Sequence, residues 1–232
     1  MSHWCDMESM RKNQVDDFTR GTDYLRMTLQ NRVDPFGRLH AVPERGTLMG
    51  NRGGCFHRSD KSLLPQHWRT NQWIICRLEF KQRRRVLMAP GRYTEVFFLD
   101  EATALAAGHR PCFECQRDRA ETFRSALVTA GLFSSRPGVR EMDAIISTEV
   151  QARLTGKTRV ETVYPPDLPD GAIYHNDGNC FLKWQHSSHL WSFGGYGHPV
   201  SLHEKGHALT RAASLAAMTA GYVPDIHASA II

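Results

Sequence analysis

The sequence predicts an α+β chain, and three observations predict it. Trp73 to Phe80 alternates in character as a strand does, and a second strand-like run, Tyr93–Leu99, follows it after Pro90-Gly91. Two later stretches, Cys115 to Ala130 and Arg140 to Leu154, carry apolar residues at helical spacing. Short strands follow, with the turn sequence Asn176-Asp177-Gly178 between the first two. Cys112-Phe113-Glu114-Cys115, which can hold a metal ion, stands where the strand pair would meet the first long helix. The expected architecture is therefore a zinc-stabilised β-hairpin and helix module followed by a small antiparallel sheet with a terminal helix.

Residues 1–45 have weak periodicity and read as a lead-in, with a short helix near Asp16–Met27. Residues 46–155 form the expected module. It opens with Gly46, Gly50, Gly53 and Gly54, a pattern of loop or bulged strand. In the strand from Trp73, the residues Ile74, Cys76, Leu78 and Phe80 share one face, while Arg77, Glu79 and Lys81 share the other. Paired with Tyr93–Leu99, this strand makes an antiparallel hairpin. Asp100 reads as the N-cap of a short helix, Glu101–Ala107, that closes at Gly108. In the helix ending at Ala130, the residues Ala120, Phe123, Leu127 and Ala130 mark its buried face. Thr155 to Pro169, with three prolines, is the preferred boundary. The last part, 170–232, holds strands at Ala172–His175, Cys180–Gln185 and His189–Phe193, broken by Gly194, Gly195 and Gly197. Tyr174, Phe181, Trp184 and Trp191 are expected to pack that sheet. A helix from Arg211 to Ala220, capped by Thr210, completes it.

Composition excludes several classes. The 232 residues are 41% hydrophobic and 23% charged, enough apolar content to build a core and too much for a mainly disordered chain. No run approaches the roughly 18 apolar residues of a spanning helix, so no membrane partner is expected. Six cysteines are too sparse for a disulfide scaffold in a chain this long. The opening Met1-Ser2-His3-Trp4-Cys5-Asp6 is polar, without an apolar stretch and cleavage site, and a cytoplasmic protein with reduced thiols is expected. Cysteine clusters then read first as metal or catalytic sites. Charge is concentrated in one segment: residues 31–125 carry 17 basic and 10 acidic side chains, a balance of +7 against +5 for the whole chain. A local anionic partner such as nucleic acid fits that pattern, as does a solvated basic face.

Two cysteines separated by two residues present both thiolates to one tetrahedral zinc ion at about 2.3 Å each. One such pair is half a site. Cys76 is the natural third ligand, since its strand should lie beside the one leading to Cys112; its bland alternative is a buried core thiol. For the fourth there are Cys55 and His57, just after the glycine-rich segment.

The run from Phe97 through Asp100, Ala102, Ala104, Gly108-His109-Arg110-Pro111 and Cys112-Phe113-Glu114-Cys115 resembles the zinc-binding domain of Ada-type DNA-repair proteins. There a strand, an alanine-rich helix and a glycine–x–arginine–proline turn precede the second metal-binding Cys-x-x-Cys. The resemblance covers roughly Gly46–Leu132. It implies a structural Zn2+ on His57, Cys76, Cys112 and Cys115, with His57 preferred over Cys55 after His-containing relatives of the pattern. It further implies a role in DNA repair or related DNA metabolism. The Ada-type close first pair, Cys-x3-Cys or His-x3-Cys, has no counterpart here, and a histidine ligand could not accept a methyl group. Lys81, Arg83, Arg84 and Arg85, at the hairpin end, are the candidate phosphate contacts, with DNA the favoured partner.

Two other chemistries compete. A Cys-x-x-Cys opening a helix is also the form of a redox-active dithiol, but here the motif lacks flanking βαβ units. His203-Glu204-Lys205-Gly206-His207 satisfies the H-E-x-x-H pattern of metal-dependent hydrolases, with Asp225 or His227 as a third ligand. The glycines just upstream and the cap at Thr210 place that motif in a strand or loop. A zinc module that only organises a protein-binding surface is a third reading.

Overall fold

The computed structural model describes residues 28–82, 86–157 and 161–231. The expected helix near Asp16–Met27 lies outside them. The strands are β1 (Arg32–Val33), β2 (Leu39–His40), β3 (Leu48–Arg52), β4 (Trp73–Arg77), β5 (Val96–Phe98), β6 (Arg110–Pro111), β7 (Thr162–Val163), β8 (Ile173–Asn176), β9 (Asn179–Trp184), β10 (Ser187–Ser192), β11 (Gly195–Ser201) and β12 (Gly206–Ala208). The helices are α1 (Glu101–Ala106), α2 (Arg117–Thr129), α3 (Val139–Leu154) and α4 (Ala212–Thr219). The class is α+β, with two six-stranded sheets ordered β2-β1-β5-β3-β4-β6 and β11-β10-β9-β8-β12-β7. None of these helices is long and apolar enough to cross a membrane.

In the first sheet the expected hairpin is replaced by a three-strand arrangement. β3, drawn from the glycine-rich run, lies between β4 and β5 and pairs antiparallel with both. Gly50 makes this central position accessible. A Cβ there would lie 2.4 Å from the Ile74 carbonyl oxygen and 2.7 Å from the Phe98 ring, so only glycine lets the two flanking strands close on it. Glycines that read as a chain break are a close-packing device instead.

β4 turns to the main core the face opposite the one that carries Cys76. Trp73 and Ile75 are fully buried in the main core, whereas Ile74 and Cys76 are half-buried on the opposite face. With apolar residues on both faces, period-2 alternation does not say which one meets the core.

Local signals hold for the helices. Asp100 caps α1: its Oδ1 accepts from the Thr103 backbone N–H at 2.8 Å and the Thr103 hydroxyl at 2.7 Å. Every residue of α1 is buried, because the helix lies between two apolar clusters. Ala104 and Leu105 belong to one, with Phe98, Phe123 and Val150; Ala102 and Ala106 belong to the other, with Leu99, Ile173 and Leu182. The larger cluster also takes Tyr174, Phe181 and Ala217 from the last third of the chain, so the core is continuous across residues 155–169. Tyr174 and Phe181 stack at 5.7 Å, and Trp184 and Trp191 pack at the edge of the second cluster.

The acidic pair at the start of α1 ties distant segments together. Asp100 Oδ2 accepts from the Tyr196 hydroxyl of β11 at 2.8 Å and from the His227 N–H at 3.0 Å. Glu101 accepts from Arg119 of α2, from the Tyr222 hydroxyl at 2.5 Å and from the Asp225 N–H at 2.9 Å. Burial pushes both carboxyls above their ordinary range, against the pull of these donors.

In the second sheet, the two-residue turn Asp177-Gly178 has positive φ at both positions, 45° and 83°, the form that suits a tight hairpin. It sets the β8–β9 register with Asn176 opposite Asn179. The longest strand, β11, begins at Gly195 in the run expected to interrupt the sheet. Thr210 does not cap α4; Arg211 holds that position, and the Thr210 hydroxyl accepts from the Ile173 N–H at 2.8 Å.

Two outcomes follow from these burials. Asp100→Ala removes the α1 cap and orphans buried donors, and should cost about 3 kcal/mol in urea unfolding; Asp100→Asn, which keeps one acceptor oxygen, should cost clearly less. His109 is completely buried against the Arg52 guanidinium, and desolvation followed by that charge holds its imidazole well below the ordinary value of 6.5. The unfolded chain therefore binds a proton that the folded chain refuses. Stability from this group is complete above pH 6.5 and is lost as pH falls below it, by up to about 1.4 kcal/mol per pH unit. The difference between the wild-type and His109→Gln unfolding curves measured from pH 7.5 to 5 should show that slope.

Candidate metal centre

The pairing of β6 with β4 builds the site. β6 runs parallel to β4 with Arg110 beside Ile74 and Pro111 beside Ile75, so the next residue, Cys112, arrives beside Cys76. The Cys112 N–H donates to the Ile75 carbonyl at 3.0 Å, extending the ladder by one step. The chain then turns tightly. The Glu114 N–H donates to the Cys112 sulfur at 3.3 Å and the Gln116 N–H to the Cys112 carbonyl at 3.0 Å. The Gln116 amide reaches back to the Ile75 carbonyl at 2.9 Å. Cys115 is thereby placed just before α2.

Arg110 holds the turn in place. Its guanidinium binds both oxygens of Asp143 on α3, at 2.7 and 3.0 Å, with both side chains 4% exposed. It also donates to the Pro111 carbonyl at 3.0 Å. Arg110 and Arg124 both approach the Phe113 ring, their guanidinium carbons 5.4 and 4.8 Å from its centre. A bidentate pair in so dry a place fixes direction as well as distance.

The result is that the sulfurs of Cys76, Cys112 and Cys115 all lie within 4.8 Å of one another. Two thiolates on one tetrahedral zinc stand about 3.8 Å apart, so the spacing suits a shared ion. Cys112 and Cys115 are buried and Cys76 is half-buried. Hydrogen bonds from Cys115 and then Cys76 draw the Cys112 thiol far below its ordinary range, while the bond to Cys112 pushes Cys76 up and Cys115 up. A divalent cation bound there would displace the thiol protons. Three close cysteines can hold a metal ion, and three protein donors leave one of four tetrahedral positions for another.

Alongside the sulfurs is a cavity of about 280 Å³ whose walls include Met49, Asn51, Ile74, Tyr93, Phe97 and Glu114. Sequence reasoning named none of these as site residues. The available signal was the second apolar face of β4, which faces this cavity.

His57 and Cys55 do not join the three cysteines. Antiparallel pairing puts Met49 opposite Cys76 and Arg52 opposite Trp73, so residues beyond Arg52 leave from the far end of β4. Three residues of strand, about 10 Å, separate that end from Cys76. His57 is buried there, with Nδ1 2.7 Å from the Thr94 hydroxyl and Nε2 3.3 Å from the Ala89 carbonyl. The Cys55 sulfur lies 3.6 Å from the His57 ring.

Of the basic quartet, Lys81 is exposed, its ammonium 5.0 Å from the Phe80 ring centre; Arg83, Arg84 and Arg85 lie outside the described residues. The H-E-x-x-H stretch is not helical. His207 sits on β12 opposite His175, and His203 lies in the preceding loop with Nδ1 2.6 Å from the Tyr174 hydroxyl. The two histidines therefore do not share a helix face as a zinc peptidase requires. Among the described residues, no other set of three or more His, Cys, Asp or Glu converges as the cysteines do.

Comparison with protein families, with curated proteins and with solved structures finds no significant match to this chain.

If the Arg110–Asp143 pair aims the turn, Asp143→Asn should lower the melting temperature and slow metal uptake in a chromophoric chelator competition, while Asp118→Asn on exposed α2 surface should change neither.

Proposed function

We propose that this chain is a zinc-binding protein whose ion, held by Cys76, Cys112 and Cys115, is structural, and that it binds nucleic acid, DNA in preference. The convergence of three sulfurs from two separate segments carries the reading. Zinc would tie β4 and β6 to the start of α2, and structural zinc contributes on the order of 10 kcal/mol of apparent folding energy. The preference for zinc rests on the all-thiolate donor set, which suits a borderline-soft ion and not calcium or magnesium.

Charge and resemblance support the nucleic-acid partner. Basic residues exceed acidic ones by 17 to 10 in residues 31–125, the segment that contains the cysteines. Lys81, Arg83, Arg84 and Arg85 lie four to eight residues past β4 in the sequence and are the candidate phosphate contacts. The Ada-type resemblance over Phe97–Cys115 adds DNA repair or related DNA metabolism to that reading. Its helix, turn and cysteine order runs through α1, Gly108, β6 and the Cys112–Cys115 turn.

Elemental analysis of the purified full chain should find one zinc per molecule, and Cys112→Ser and Cys76→Ser should each lose it with a fall in melting temperature. Full metal retention by both variants overturns the zinc reading. For the partner, log affinity for duplex DNA should fall with log salt at a slope that the Arg83/Arg84/Arg85 triple alanine variant reduces by about 3. Affinity indifferent to salt and to that change overturns the nucleic-acid reading and leaves zinc binding intact.

A further inference from the structure

A second cavity, sharing no wall residue with the one beside the cysteines, encloses about 840 Å³. Its walls bring together Arg38 from the β1–β2 turn, Arg52 from the end of β3, Arg153 from the end of α3 and Arg211 from the cap of α4. Trp68, His67 and Phe36 add rings, and no wall residue is acidic.

Two of these cations are buried without an ion partner among the described residues. Arg52 is 0% exposed and Arg211 is 2% exposed. Backbone carbonyls position them: Arg52 donates to Gly37 at 2.9 Å and Arg211 to Phe36 at 3.3 Å. Neutral carbonyls orient a guanidinium but do not neutralise it. Arg52 also donates to His109 Nε2 at 3.3 Å and lies 4.3 Å from the Trp73 ring centre. Among the described residues, its Nη1, the Nε of Arg211 and the Nε of Arg153 are buried with no hydrogen-bond partner. Asp34 acts electrostatically on both guanidinium groups and Glu149 on that of Arg211, but the direct contacts of these carboxylates go to other groups. Glu149 holds Arg153 at 2.6 Å and the first N–H of α4 at 2.7 Å, while Asp34 holds the Arg38 N–H and His40 at 2.8 Å each. Burial draws the Arg52 guanidinium down to about 9 and that of Arg211 to about 10, against the pull of Asp34 and, for Arg211, Glu149.

Buried cations are ordinarily paired. Here no carboxylate pairs directly with Arg52 or Arg211 among the described residues, which leaves a place for an anion from outside. Guanidinium groups bind oxyanions through parallel N–H bonds, and two of them match a group with two negative charges. The cavity is of the size that holds a small molecule, with rings to cover a flat moiety. We infer that this cavity is a binding site for a phosphorylated small molecule, its phosphoryl group held between Arg52 and Arg211 and its remainder beside Trp68. Arg38, exposed at the rim, meets the anion on entry.

Calorimetry on the full chain tests this with inorganic phosphate, adenosine monophosphate and adenosine as probes. The monophosphate and phosphate should bind saturably, with adenosine at least tenfold weaker than the monophosphate. Arg52→Gln and Arg211→Gln should each weaken the monophosphate at least tenfold. Should either variant fail to fold, Arg38→Gln, an exposed change, decides by weakening it several-fold with the melting temperature unaltered. No saturable binding of either phosphate probe below about 10 mM, or adenosine binding as tightly as its monophosphate, overturns the inference. Neither readout depends on the cysteines, so loss of the zinc reading would leave this result standing.

Discussion

Two adjacent carboxylates, Asp100 and Glu101, are the constraint on which the rest of the molecule hangs. Both are at most 2% exposed, and between them they accept from α1 itself, α2, β11 and the segment Tyr222–His227. A buried carboxylate without donors is very costly, so each arriving donor relieves a penalty that the others share. α2, β11 of the second sheet and the segment Tyr222–His227 are therefore held to the start of α1. This explains why a six-residue helix, too short to be stable alone, is buried at every position.

The cysteine centre depends on that frame. α1 ends at Ala106, Gly108 turns the chain at positive φ, and the next residues enter β6 beside β4, which is what delivers Cys112 to Cys76. The Arg110–Asp143 pair locks the same turn to α3. Strand pairing and the salt bridge together set where the three sulfurs lie.

The two cavities divide the molecule chemically. One is lined by soft sulfur donors, the other by guanidinium groups that carbonyls hold but do not neutralise. The arginine cavity is assembled from four elements spread from Arg38 to Arg211. No local pattern announces it: each arginine, seen in sequence, is one more contributor to a basic surface. Arg52 and Arg211 are in fact among the largest fully buried side chains.

What was legible in the chain was what a few neighbouring residues decide. The Asp100 cap, the Asp177-Gly178 turn, the spans of α2 and α3 and the Cys112–Cys115 spacing all rest on contacts within about five residues, and they stand within a residue or two of expectation. Cys76 was reachable too, because a strand beside the cysteine turn was implied. The rest was set by long-range pairing. Placing β3 between β4 and β5 required knowing that Gly50 admits the Phe98 ring, a contact 48 residues apart in sequence. The same register put Met49, and not His57, at the level of Cys76. Local sequence chose the conformations; burial and strand register, which sum over the whole chain, chose which side chains meet.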